Sequence, residues 1–216
     1  MRLVKHSARP YRSPLRDAQA AETRRRIVSS AGELFLAQGY PGTTVADVAR
    51  RAEVSADSVY KTFGSKREIL KQVLDSVIGG DDEDISLLDR PDPQALRAET
   101  DQHRQVAVFA AGMTEQLERV RPMDDVLRGA AAVDAEVAEL RSDVQLRQRR
   151  TAMRAVVSWI AARGPLRDEM SEDEAAAVLW TLTSPEVHGM LRDTWRWPRK
   201  RYEDWLRDTL TATLLG

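Results

Sequence analysis

The sequence predicts an all-α protein, with a small N-terminal group of helices followed by a larger helical region. Apolar residues recur at helical spacing, as with Ile27, Ala31, Leu34 and Phe35 at i, i+4, i+7 and i+8. Capping pairs punctuate the chain: Thr44 with Asp47, Ser65 with Glu68 and Ser171 with Glu174, each a hydroxyl three residues ahead of a carboxylate. No stretch alternates apolar and polar residues as a half-buried strand would, and there is no heptad array or internal repeat.

Residues 1–19 lack periodicity and carry Arg2, Lys5, Arg9, Arg12 and Arg16 with two prolines, so they read as a flexible basic arm. The first helix follows and stops at Gly39, a C-cap residue. A short second helix runs from the Thr44 cap to about Glu53, with Val45, Val48, Ala49 and Ala52 on one face. Ser55 caps a third, ending near Phe63 before Gly64. The fourth starts at Ser65 and presents Ile69, Leu70, Val73, Leu74 and Val77. Residues 79–93 combine paired glycine, an acidic cluster and two prolines, which marks a boundary. The units are therefore 1–19, 20–80 and 81–216. In the last, helices are expected over 94–119, 123–132, 134–163, 171–183, 185–196 and 199–215. Gly164-Pro165 ends the long one, and Pro185 sits either at the first helical position after a Ser184 cap or at a kink.

Composition excludes several classes of function. There is no cysteine, so disulfides, thiolate metal sites and cysteine nucleophiles are out. Asparagine is also absent, and with it any N-glycosylation sequon. No apolar run approaches the ~18–20 residues that span a bilayer, and the basic N-terminus lacks an apolar segment behind it. A cytoplasmic protein with no membrane partner is expected. The net charge of −1 hides an asymmetry: residues 1–71 hold 14 Lys and Arg against 7 Asp and Glu, the rest 19 against 27. A basic first third suits either a solvated face or a polyanionic partner.

Ser55–Lys61 is mostly polar, offering only Val59 and Tyr60 as apolar groups. A stable helix needs a buried face, and Val59 with Phe63, at i and i+4, supplies one. Two short helices joined by a tight turn and backed by longer ones form the helix-turn-helix pattern, whose second helix lies in the DNA major groove. The outward face can then stay polar because its partner is nucleic acid. Ser55, Ser58, Tyr60 and Lys61 offer hydroxyls and an ammonium for phosphates and base edges.

The stretches ETRRRIVSSAGELFLAQGY, GTTVADVARRAEVS and SADSVYKTFGSKREIL together resemble the DNA-binding domain of the tetracycline-repressor (TetR) family of transcriptional regulators over residues 22–74. The resemblance implies that Thr44, Tyr60 and Lys66 contact phosphate and that Ser55, Asp57, Ser58 and Lys61 face the groove. Asp57 has two readings: an anion favoured by the helix dipole, or an acceptor for a cytosine amine. The basic arm resembles extensions that follow the DNA backbone in some members, or is a disordered tail. Arg24, Arg25 and Arg26 open the first helix against its dipole, which favours a phosphate partner for at least one of them.

Further along, the resemblance rests on helical layout and length. It implies homodimerisation through the last two major helices, a palindromic operator, and a small-molecule effector whose binding releases DNA. Val178, Leu179, Leu182, Trp205, Leu206 and Leu210 are the candidate dimer interface, with internal core as the alternative. Phe109, Met113, Met153 and Trp159, with His103 as a polar handle, are the candidate effector contacts; each could equally be plain core. An activator, or an interaction module without operator specificity, would use the same first domain. Enzyme chemistry is not expected. Ser58 and Lys61 match a Ser-x-x-Lys pattern but lack its companion motifs, and the three histidines show no metal-ligand spacing. No cofactor or metal is expected.

Overall fold

The computed structural model describes residues 14–81, 83 and 85–215, and among these there are helices and turns but no strand. Helix α1 spans Pro14–Gly42 and is broken at Gly39, whose φ of 74° lets the chain turn before Tyr40. The expected arm is thus helical from residue 14. Pro14 suits a first helical position, and Ala18, Ala20 and Ala21 extend the helix by intrinsic propensity, without a buried face. The remainder of that arm, residues 1–13, lies outside the described residues.

Helix α2 (Val45–Arg51) starts with the full capping box: Asp47 N–H donates to Thr44 Oγ1 and Thr44 N–H to Asp47 Oδ2, both at 3.1 Å. The turn after it places Glu53 at φ 55°. Val54 N–H then returns to Ala49 O at 3.0 Å. Ser55 caps α3 (Ala56–Phe63) by accepting from Ser58 N–H at 3.1 Å. Gly64, at φ 76° and ψ −45°, redirects the chain into α4 (Lys66–Gly79). A Cβ at Gly64 would meet no atom within 4 Å, so its cost is backbone strain alone. Gly64→Ala is expected to destabilise the protein by about 1–2 kcal/mol in urea denaturation. An unchanged midpoint would refute that reading of the turn.

Beyond the linker, boundaries depart from expectation in several places. The segment 94–119 is two helices, α5 (Pro91–Ala98) and α6, which spans Gln102–Ala131. Glu99 Oε1 accepts from Thr100 and Asp101 N–H at 2.7 and 2.9 Å, and Asp101 caps α6 through Arg104 N–H at 2.8 Å. Side-chain acceptors thus take the backbone donors that a continuous helix would use. Conversely, α6 runs through Pro122, where a break was expected. The proline is exposed, and burial on both sides, at Leu117 and at Met123 and Leu127, outweighs one lost hydrogen bond.

The long helix expected over 134–163 is α7 (Ala135–Ser142), a π-turn over Asp143–Gln148, and α8 (Arg149–Ala161). The π-turn leaves Val144 and Gln145 buried. Helix α9 (Glu172–Leu182) carries the expected Ser171–Glu174 box. Pro185 opens α10 (Pro185–Gly189) at N1 behind the Ser184 cap, which settles the choice against a kink. A second π-turn, Met190–Thr194, and α11 (Arg199–Leu214) complete the fold.

Two hydrophobic cores result. One joins Ile27, Phe35, Val48, Val59, Phe63, Leu70 and Leu74 to Met123, Leu127, Val137 and Leu140, so α6 and α7 complete the core of the first unit. The other gathers α6, α8, α9 and α11 around Phe109, Val157, Leu179 and Leu206. Leu179, Leu206 and Leu210 are fully buried here, which corrects their assignment to a dimer interface: their helical face is the internal one. Val178, Leu182 and Trp205 remain partly exposed.

Candidate nucleic-acid interface and inter-unit cavity

Helix α3 is held by Val59 and Phe63, 1% and 7% exposed, while the Arg24 guanidinium lies 4.7 Å over the Phe63 ring. Asp57, Tyr60 and Lys61, at i, i+3 and i+4, form one exposed polar face. Neither Asp57 nor Lys61 enters an ion pair among the described residues. Ser55 and Ser58 are partly spent on the cap, their hydroxyls 2.8 Å apart. Thr44 is exposed but bonds Asp47 at 2.6 Å. Those hydrogen bonds hold the Asp47 carboxyl below its usual range.

Lys66 departs from expectation. Its ammonium donates to Tyr40 O and Thr43 O, both at 3.0 Å, and sits 4.0 Å over the Tyr40 ring. Burial pulls it below the ordinary lysine range. The reason is local: in the turn after Gly39 the Tyr40 carbonyl accepts the Thr43 N–H at 3.2 Å, and the lysine at the start of α4 donates both to that carbonyl and to the Thr43 carbonyl. Lys66 is a staple of the domain rather than a free phosphate contact.

The second candidate site is a cavity of about 890 Å³ where α1 and α4 face α6 and the π-turn. Val28, Ile78, Leu88, Met113, Leu117, Val120 and Met153 supply apolar lining; Arg24, Gln72, Gln116, Gln148 and Arg149 supply polar groups. Of the five expected effector contacts, Met113 and Met153 line it. Phe109 does not: one turn back on α6, it is packed into the second core. His103 lies on the exposed face of α6. Trp159 is half-buried on α8 with the Arg97 guanidinium 5.9 Å above its ring.

The polar lining escaped the sequence reading. Gln116 Nε2 donates to Ile78 O at 3.1 Å, tying α6 to the end of α4. Gln145 Nε2 donates to buried Asp124 at 2.6 Å, and burial raises that carboxyl above its usual range. Arg149 donates through Nη2 to Trp180 O and, at 3.0 Å, to Thr183 Oγ1, with its guanidinium 5.1 Å over the Trp180 ring. These groups come from four distant segments, so no spacing in the sequence brings them together.

A helix-turn-helix unit sharing its core with a larger helical body, and a cavity at their junction, define a two-unit all-α helix-turn-helix protein. Residues 27–73 match the model for bacterial regulatory proteins of the tetR family, and the first unit is a TetR-family helix-turn-helix domain. Over 59 residues, 27% of this chain and 44% of that protein, the chain is 48% identical to TtgW, an uncharacterized HTH-type transcriptional regulator of Pseudomonas putida. The match spans less than half the length of such curated relatives. The whole fold resembles NalD, the secondary repressor of the MexAB-OprM multidrug efflux pump in Pseudomonas aeruginosa. The TM-score is 0.69 at 21% identity, covering 93% of this chain and 98% of NalD. It also resembles SmeT in complex with triclosan, with a TM-score of 0.68 at 21% identity over 90% of this chain and 92% of SmeT. No helix among the described residues is long and apolar enough to cross a membrane.

Proposed function

We propose that the chain is a transcriptional repressor that binds a palindromic operator as a homodimer and is released by a small molecule in the inter-unit cavity. The observation that carries this reading is the exposed polar face of α3 on a domain whose supporting helices, α1 and α4, also wall the cavity. Tyr60, Lys61 and Asp57 are the free groups offered to DNA, with Ser55, Ser58 and Thr44 at the helix starts. A ligand that binds better when α4 and α6 are further apart shifts the population toward that arrangement. Arg24 couples the two sites: it lines the cavity, bonds Gln72 of α4 at 2.7 Å and covers Phe63 of α3. NalD is a repressor and SmeT binds triclosan, which supports the repressor and effector parts of the reading. The half-exposed Val178, Leu182 and Trp205 of α9 and α11 would contribute to the dimer contact.

The test is binding to duplex DNA from the upstream region of the chain's own gene, against a random duplex, over a range of salt. Specific binding is expected to exceed random binding by at least about 10³. Affinity should fall by close to one logarithmic unit per tenfold rise in salt for each phosphate contacted. Equal affinity for both duplexes would overturn the repressor reading.

A further inference from the structure

The charged groups around the cavity are mostly neutralised within the chain. Arg90 is held by Asp81, Arg25 by Glu22 and Arg147 by Asp143, while Asp75 takes Lys71 at 2.8 Å. Arg24, which also lines the cavity without an ion pair among the described residues, is exposed and engaged by Gln72 and the Phe63 ring. Arg149 is different. It opens α8 directly after the π-turn, lines the cavity, and has no carboxylate at ion-pair distance among the described residues. The acids whose fields reach it are engaged elsewhere: Glu186 holds Arg141 at 3.0 Å, and Asp124 accepts from Gln145. Burial pulls Arg149 down to about 10, as expected of a cation taken from water without full compensation. Its Nη2 donors go to Trp180 O and Thr183 Oγ1. The Nε and Nη1 N–H groups have no acceptor among the described residues. A guanidinium carries five donors in all, and burying it without a counter-charge is costly. Beside it stand the apolar side chains of Met113, Leu117, Val120 and Met153. The volume is that of a drug-sized ligand.

We propose that the cavity takes an amphipathic organic anion, whose charged group seats on Arg149 and whose apolar body lies against Met113, Leu117, Val120 and Met153. This rests on the reading of the cavity as the effector site and names the chemical class of the effector. The ligand supplies the counter-charge that the described residues do not place at ion-pair distance. Binding offsets the desolvation cost of Arg149 and couples α8 to whatever the apolar body pushes apart. A neutral ligand of the same shape fills the volume and leaves that cost in place.

The experiment uses two fluorescent probes with one body, 8-anilinonaphthalene-1-sulfonate and its uncharged parent N-phenyl-1-naphthylamine, titrated into the full chain. The wild type is expected to bind the sulfonate at least about tenfold more tightly, the effect of one charge-assisted hydrogen bond. R149M should abolish that preference by weakening the sulfonate about tenfold to a hundredfold while leaving the parent unchanged. R149K retains a cation and keeps part of the preference, so the test stays readable if R149M fails to fold in a thermal melt. M113W, which narrows the cavity at the wall against which the apolar body lies, should weaken both probes and so locates them.

Equal affinity of the two probes in the wild type overturns the inference, as does an R149M protein that still prefers the sulfonate. Either outcome leaves the cavity a ligand site. If neither probe binds, or M113W weakens neither, the cavity reading falls and this inference with it.

Discussion

Leu127→Ala is expected to lower the stability of the whole chain by about 3–4 kcal/mol, and to do so in a single transition. Leu127 belongs to α6, in the larger unit by sequence position, yet it is fully buried in the core that also holds Ile27, Phe35 and Leu70. Removing three carbons from such a site costs their transfer free energy plus a cavity that the rigid surroundings do not close. The second part follows from α6 itself, which runs unbroken from one core to the other. All five tryptophans, from Trp159 to Trp205, lie in the second unit, whereas backbone ellipticity reports both units. Thermal unfolding by tryptophan fluorescence and by circular dichroism should therefore coincide in the wild type and shift together in the variant, at equal protein concentration. Two separated transitions, with only the ellipticity responding to Leu127→Ala, would show that the units fold independently. That would also remove the mechanical link on which effector release depends.

Lys66→Met is expected to cost about 2 kcal/mol of stability and to leave the salt dependence of DNA binding unchanged. Its ammonium donates to the Tyr40 and Thr43 carbonyls of the turn after Gly39 and lies on the Tyr40 ring. Thr43 is fully buried, so the variant leaves an acceptor with no ready replacement by water. Lys61→Ala is the contrasting case. Lys61 is exposed and outside any ion pair among the described residues. Its removal should leave the urea midpoint within about 0.5 kcal/mol of wild type while lowering the slope of log affinity against log salt by about one. The reverse pattern, a lower slope and unchanged stability for Lys66→Met, would restore Lys66 as a phosphate contact.

Lys66 also shows where sequence reading reaches its limit. The helix it begins was legible, because Ser65 caps it and Ile69, Leu70, Val73 and Leu74 follow at helical spacing. The direction of its side chain was not, because that depends on carbonyls 23 and 26 residues earlier. The π-turn at Asp143–Gln148 and the passage of α6 through Pro122 were hidden in the same way. Each breaks a local rule that burial on distant elements overrides. Phe109 and Met113, four residues apart on one helix, have the same local character, and only their neighbours separate core from cavity wall.

By itself, the sequence determined the all-α class, the caps at Thr44, Ser55, Ser65 and Ser171, the helix-turn-helix pair and the polar face of α3. Those follow from hydroxyls, carboxylates and apolar residues a few positions apart, where the physics is local. The tertiary structure decided what α6 joins, which leucines are internal, and that Arg149 faces the cavity with no carboxylate at ion-pair distance among the described residues. These depend on contacts between segments dozens of residues apart, which no helical period encodes.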